Sequence, residues 1–278
     1  MVLIIAKYTT QEHPCKKFMK NSGFTLIELL IAIVVGSTIS LMGVTVYSQA
    51  SVTKNVVQAE LQIQESAYYI HQILKRYINQ AGYVPLSISS SSFPILPIDT
   101  RDSVFTKVDS ITDTDGNTSR AWGKGEYFIS ESEGFALRFM GASNYAGVAD
   151  GTMVDCQGLA VGEGTVDTLV FAVQNNSLTC DSGGNSVEFI GVQDDVRVED
   201  IVVDLGIDTN DDMSADEYRG SGSALSSGEN VVSARIFILL ASLLEVEDDA
   251  TSYTYKGVSY TSADKRIRRQ YISTVQLK

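Results

Sequence analysis

Histidine, cysteine, proline and positive charge are all scarce in this chain. Of its two histidines, only His71 lies beyond residue 23, and residues 82–278 have none. That region therefore cannot build a histidine-based nucleophilic triad or an imidazole metal centre. It also lacks a Gly-x-Ser-x-Gly elbow, a Cys-x-x-Cys pair and a phosphate-cradling glycine loop. The acidic pairs Asp194/Asp195 and Asp248/Asp249 are adjacent in sequence, so on strands they would face opposite sides and make poor acid–base pairs. The composition thus argues against an enzyme. With 21 Lys and Arg against 34 Asp and Glu, the net charge is −13 and the pI is near 4.6. Nucleic acid is excluded as a partner, because phosphate binding needs clustered cations.

Long apolar runs are also few. One dominates, from Phe24 to Val46 (FTLIELLIAIVVGSTISLMGVTV). It is long enough to cross a bilayer. A second candidate, Val231–Leu244, contains Arg235 and is too short to span. The long run carries one charge, Glu28, near its start. A carboxylate there costs about 2.5–3.5 kcal/mol on insertion scales, which calls for a partner. Lys7, Lys16, Lys17 and Lys20 stand against Glu12 before the run, which places the N-terminus in the cytoplasm and the bulk of the chain outside.

Where a secretory signal would place its small-residue cleavage site after the apolar run, the distinctive string here precedes it: Lys20-Asn21-Ser22-Gly23-Phe24-Thr25-Leu26-Ile27-Glu28. That string resembles the type III signal of type IV prepilins and pseudopilins. The resemblance implies that prepilin peptidase cuts after Gly23, that Phe24 becomes an N-methylated terminus, and that Glu28 acts in assembly. Residues 1–23 are then a leader, with Met19 an alternative start. The new α-amine and the Glu28 carboxylate of a neighbouring subunit could neutralise one another in a helix bundle, recovering desolvation cost and fixing the axial stagger. The competing reading is an ordinary single-pass anchor with a tolerated glutamate.

No proline interrupts Phe24–Ala81, and Gly82 and Pro85 end the helical pattern. One helix over 24–81 is expected, roughly 85 Å long: residues 24–46 transmembrane, 47–81 amphipathic and periplasmic. Its stripe is Val52, Val56, Val57, Leu61, Ile63, Ala67, Ile70, Ile73, Leu74 and Tyr77. Gly36 and Gly43 mark either local melting on assembly or close helix packing.

Residues 82–278 are long enough for one head domain with its own core. The stretch 86–125, rich in Ser, Asp, Thr and Gly, reads as a long surface loop. Within it Trp122 is either a packing anchor or part of a contact surface. Beyond Tyr127, β-prone runs separated by turn residues predict strands at 135–140, 168–173, 187–192, 196–205, 231–244 and 270–277. The run 231–244, apolar on both faces, should be central. The fold class expected is α+β: a long N-terminal helix packed on a C-terminal antiparallel β-sheet domain, pilin-like. With Cys15 lost in the leader, Cys156 and Cys180 form an even pair in an exported domain, which suggests a disulfide.

Asp208, Asn210, Asp212, Ser214 and Asp216 put an oxygen ligand at every second position. That spacing resembles an EF-hand loop and would suit calcium, but Met213 stands where the turn glycine belongs and Arg219 where the bidentate glutamate does. A solvated acidic turn is the other reading. A shorter Asp113/Asp115 loop is a weaker candidate. No other cofactor is indicated.

Beyond the N-terminal signal, the chain resembles the PilW family of minor pilins in four places: the helix end from Glu60-Leu61-Gln62 through Ile78-Asn79-Gln80-Ala81-Gly82-Tyr83, the paired cysteines of Asp155-Cys156-Gln157-Gly158 and Leu178-Thr179-Cys180, the acidic loop Gly206–Asp212 closing at Tyr218, and the final stretch Arg268–Leu277. This implies an inner-membrane, single-pass protein with a periplasmic head that later enters an extracellular pilus. Its partners would be prepilin peptidase, an inner-membrane assembly platform, other minor pilins and the major pilin, and its role initiation of pilus assembly at the tip. Two neighbouring readings are a type II secretion pseudopilin of the tip complex and a pilus-displayed adhesin.

Overall fold

The computed structural model describes residues 23–85, 104–106, 108–112, 119–131, 134–220, 230–247 and 249–277. Residues 1–22 of the expected leader, the serine-rich stretch 86–103, Asp113, Asp115 and Asp248 lie outside them. The chain divides into two compact units, residues 1–51 and 52–278.

One helix, α1 (Leu26–Ile78), runs through both. It is slightly shorter at each end than the expected 24–81. Thr25 occupies the cap rather than the first turn. At the far end Asn79–Gly82 form a turn, with Gln80 N bonded to Tyr77 O at 2.9 Å and Ala81 N to Ile78 O at 3.0 Å. Gly82 has φ +71° and lies flat against the Tyr127 ring, where an added Cβ would sit 2.7 Å from Cδ2. Only glycine suits that backbone and that clearance.

In the first unit, the described residues 23–51 are exposed throughout. Their hydroxyls turn inward to the helix: Ser37 donates to Val34 O, Thr38 to Val35 O, Ser40 to Gly36 O and Thr45 to Met42 O, at 2.8–2.9 Å. Polar side chains satisfied within their own helix suit a hydrocarbon surrounding.

The second unit holds a five-stranded and a four-stranded antiparallel sheet. The first has the order β3 (Phe128–Glu131), β4 (Gly134–Met140), β5 (Val166–Gln174), β6 (Ser177–Ser182), β7 (Asn185–Ile190). The second has the order β13 (Arg268–Gln276), β10 (Asn230–Ser242), β8 (Val196–Asp208), β9 (Glu217–Arg219). Hairpins β1 (Val108–Thr112)–β2 (Ser119–Trp122) and β11 (Thr251–Tyr255)–β12 (Val258–Ser262) stand beside them. β10 is interior, as its apolar sequence required. The helix residues Ala59, Ile63, Ala67, Ile70, Leu74 and Tyr77 share one core with Phe135, Leu137, Phe171, Ile201, Ile236 and Leu240 of the sheets. Each fully buried Ile or Leu side chain there contributes about 1.5–3 kcal/mol. The rings of Phe135 and Phe171 stack at 4.8 Å, and Tyr77 stacks on Phe189 at 5.5 Å.

Three expectations need correction. The stretch 86–125 is not all irregular: residues 108–112 and 119–122 pair as a hairpin, with Val108 opposite Trp122 and Ile111 opposite Arg120. Val57 and Leu61, counted in the buried stripe, are exposed by more than half; the core takes the other side of the helix, through Ala59, Ile63, Ile70 and Leu74. Asp194 and Asp195 are not on a strand. Asp194 closes a 3-10 turn (Val192–Asp194) by accepting from Gly191 N at 3.0 Å, and Asp195 adopts a left-handed backbone.

Candidate functional site

At the start of α1, Thr25 and Glu28 lock together. Thr25 N and Thr25 Oγ1 both donate to Glu28 Oε2 at 3.0 Å, and Glu28 N donates to Thr25 Oγ1 at 3.4 Å. This is a reciprocal capping box: it satisfies helix donors that have no intrahelical acceptor and sets a negative charge at the positive end of the helix dipole. The Thr-x-x-Glu spacing that signals it was present in the sequence beside the feature that drew attention, the isolated charge. Glu28 thus has donors in its own chain, and Oε1 takes neither of them.

The head grips the far half of the helix by specific polar ties. Arg269 on β13 pairs with Glu60 at 2.7 Å, and Ser273 Oγ meets His71 Nδ1 at 2.6 Å. Tyr77 Oη donates to Asp155 O at 3.1 Å, and Val154 N donates to Gln80 Oε1 at 2.8 Å. On the opposite side of the helix Val57, Leu61 and Tyr68 stay exposed.

The acidic loop folds around its own carboxylates. Asp208, buried, accepts Asn210 N at 3.0 Å and Asp211 N at 2.8 Å on Oδ1, and Met213 N at 2.7 Å on Oδ2. Burial pushes its carboxyl up, but these backbone donors together outweigh burial and hold it below the usual range. Asp216 accepts Thr209 N and Thr209 Oγ1 on Oδ2 and Asn210 Nδ2 on Oδ1. Asn210 accepts Asp212 N, and Asp212 accepts Ser214 N. Met213 takes φ 64°, the left-handed conformation a glycine would adopt freely. The five expected ligands therefore do sit in one loop, and side-chain oxygens of Asp208, Asn210, Asp212 and Asp216 accept hydrogen bonds from within it. Among the described residues no three His, Cys, Asp or Glu side chains are placed to hold a metal ion.

Residues 159–278 match the family model for type IV pilus-assembly protein W, and residues 18–44 match the prokaryotic N-terminal methylation motif. The chain thus carries a PilW-type C-terminal region and a pilin-type N-terminal methylation motif. The first match takes in β5–β13, with the acidic loop and the final strand; the second takes in Gly23, Phe24, the Thr25/Glu28 cap and most of the apolar run. Among solved structures, a type IV-like pilin from Thermus thermophilus overlays with a TM-score of 0.44 at 13% identity, covering 77% of this chain and 95% of that one. The overlay is loose, and the likeness to pilins is carried by the two sequence matches. No curated protein matches the chain.

Cys156 and Cys180 form a disulfide across a sequence separation of 24. It ties β6 to the irregular segment that follows β4. That segment holds two turns of one design, Asn144–Val148 and Asp155–Leu159. In each, the Asx side chain accepts the N–H groups two and four residues on, and a glycine (147, 158) takes positive φ. Replacing both cysteines with serine is expected to cost about 3.5 kcal/mol on the loop-entropy account. A denaturant midpoint equal to that of the parent chain would contradict this.

Two buried arginines were not legible as site residues. The Arg138 guanidinium donates to the carbonyls of Glu126, of Thr106 and Gly123 at 2.8 Å, and of Phe105 at 3.3 Å. It also lies 4.6 Å from the Trp122 ring centroid. Trp122 is 1% exposed, so it serves as packing. Arg268 bonds Glu199 at 2.7 and 2.8 Å and Asp264 at 2.6 Å through two nitrogens. A charged residue carries no apolar periodicity, so nothing in the sequence marked either one as buried.

Proposed function

We propose that this chain is a minor pilin, cut after Gly23 by prepilin peptidase, N-methylated at Phe24, and built into a complex at the pilus tip where it helps start filament growth. The observation that carries this reading is a single helix with two different surroundings. Its first half is exposed, apolar and capped by Thr25 and Glu28; its second half is held in a PilW-type head. The capped half enters the inner membrane with the head on the periplasmic side. On assembly it joins the helices of the major pilin and other minor pilins. The exposed Val57, Leu61 and Tyr68 extend the apolar contact beyond the lipid. The carboxylate of Glu28, already oriented by Thr25, receives the amine of a neighbour and sets the stagger.

This role is structural, with no chemistry assigned to the head. An adhesin built on Trp122 is disfavoured, because that ring is buried among Ala136, Val170 and Ile129. The acidic loop works as a self-capped turn. Calcium is the cation its oxygen spacing suits, but a self-capped turn needs none, since Asp208 and Asp216 already order the loop by accepting its own donors. Calorimetric titration is expected to give no heat at millimolar calcium, and a saturable exotherm with loop residues shifted in NMR would reverse this assignment.

Processing is tested with Gly23→Leu. The variant is expected to remain full length in the membrane and absent from sheared filaments. A Gly23→Leu chain cleaved as efficiently as the parent would overturn the assignment of the cut.

A further inference from the structure

Hairpin β11–β12 belongs to neither large sheet. Among the described residues its two strands pair only with each other, from Thr251 opposite Ser262 to Tyr255 opposite Val258. A free two-stranded hairpin is marginal in water, so its order must come from ties at its ends. At the neck, Val246 N and Glu247 N both donate to Lys265 O at 3.1 Å, and Thr251 Oγ1 donates to Arg266 O at 2.9 Å. Asp249 and Ala250, between neck and ladder, are exposed.

At the tip, the turn Lys256-Gly257 takes φ 48° and 79° and reaches over three strands of the four-stranded sheet. Lys256 N donates to Gln270 Oε1 on β13 at 2.6 Å, and Lys256 Nζ donates to Asp204 Oδ1 on β8 at 3.2 Å. Between them, on β10, the Phe237 ring centroid lies 5.0 Å from Nζ. Arg235 shares Asp204 at 3.6 Å. Beside the turn Tyr255 is buried and packs with Phe237 and Leu239, with Tyr253 against the same cluster. β12, by contrast, is exposed along nearly its whole length.

We propose that β11–β12 is a hinged strap. It swings as a unit about its neck, is latched at the tip by Tyr255 and Lys256, and when unlatched uncovers Phe237 and Leu239 on the outer face of β10. Lifting the strap breaks no backbone ladder to the sheet, whereas pulling out β8, β10 or β13 breaks a long one. Local opening takes place where the fewest buried contacts must be given up. Here they are a buried ring, an ion pair and one bond from a backbone N–H to a side chain. The ion pair is partly exposed, with Lys256 at 34%, so salt loosens the latch. The strap operates whether or not the chain enters filaments.

The test is hydrogen exchange read by mass spectrometry on the full-length chain in detergent. The amides of 251–262 are expected to exchange together, roughly tenfold or more faster than those of β10. Their exchange should depend little on added denaturant, because opening the strap exposes little surface. Lys256→Met keeps the contact with Phe237 but removes the charge, and is expected to speed exchange of 251–262 about fivefold. High salt should do the same to the parent and add little in Lys256→Met. Tyr255→Ala removes the apolar anchor and is expected to strip protection from 251–262 while β8, β10 and β13 stay protected. Exchange of 251–262 at the rate of β10, in the parent and in both variants, would show that the hairpin opens only with the whole head and would overturn the strap. So would a Tyr255→Ala chain with no protected head, or a Lys256→Met chain that exchanges like the parent at low and high salt.

Discussion

Glu28→Ala is expected to leave peptidase cleavage intact and to reduce the amount of the chain in sheared filaments by at least tenfold. The substitution removes two things. One is the capping box, whose loss alone costs about 1 kcal/mol and frays the first turn. The other is the only carboxylate in the apolar half of the helix, the group proposed to receive the amine of a neighbour. Glu28→Gln separates them, since an amide oxygen still accepts from Thr25 N but carries no charge. If charge pairing sets the stagger, Glu28→Gln incorporates as poorly as Glu28→Ala. If capping is all that matters, Glu28→Gln behaves like the parent and the pairing mechanism is wrong.

Arg268→Leu is expected to be the most destabilising single change in the head, by about 3 kcal/mol or more, because it leaves Glu199 and Asp264 without their shared cation. For a domain of this size that is a fall in melting temperature of about 10 °C. The effect carries a pH signature. The Arg268 hydrogen bonds hold the Asp264 carboxyl well below the usual carboxylate range, against a smaller upward push from burial. A group whose pKa is depressed by folding contributes stability above its unfolded value, about 3.9, and loses it as pH falls toward the folded value. The gap between parent and Arg268→Leu should therefore be constant above about pH 5 and narrow below about pH 4. A gap that does not narrow in acid would show that the loss comes from packing of the side chain rather than from its charge.

What could be read in advance follows the reach of periodicity. The apolar run 24–46, the three- and four-residue spacing that continues beyond it, and the apolar strand at β10 are patterns strong enough to survive tertiary context, and each is present. Hairpin β11–β12 was missed although Lys256-Gly257 is a positive-φ turn, because its alternation is of Thr, Ser and Tyr, a weak apolar signal, although Tyr253 and Tyr255 pack on Phe237 and Leu239. β1 and β2 were hidden in the same way among Ser, Thr and Asp. Leu61 was assigned to the core because a helix with two apolar faces looks, in sequence, like a helix with one broad face. The acidic loop shows a different limit. Its alternation of oxygens was legible, but the same spacing serves both a loop that caps its own backbone and one that holds a cation. The arginines that pin the head depend on contacts between residues far apart in the chain, Arg268 with Glu199 and Arg138 with Thr106, which no local pattern encodes.

The central claim is that proteolysis after Gly23 exposes an amine on a helix already prepared to use it. N-terminal sequencing by mass spectrometry of the chain extracted from membranes and from sheared filaments tests it most directly. The expected result in both fractions is a peptide beginning with N-methylated Phe24 followed by Thr25. A mature chain beginning at any other residue, or an unprocessed chain in the filament fraction, would contradict it.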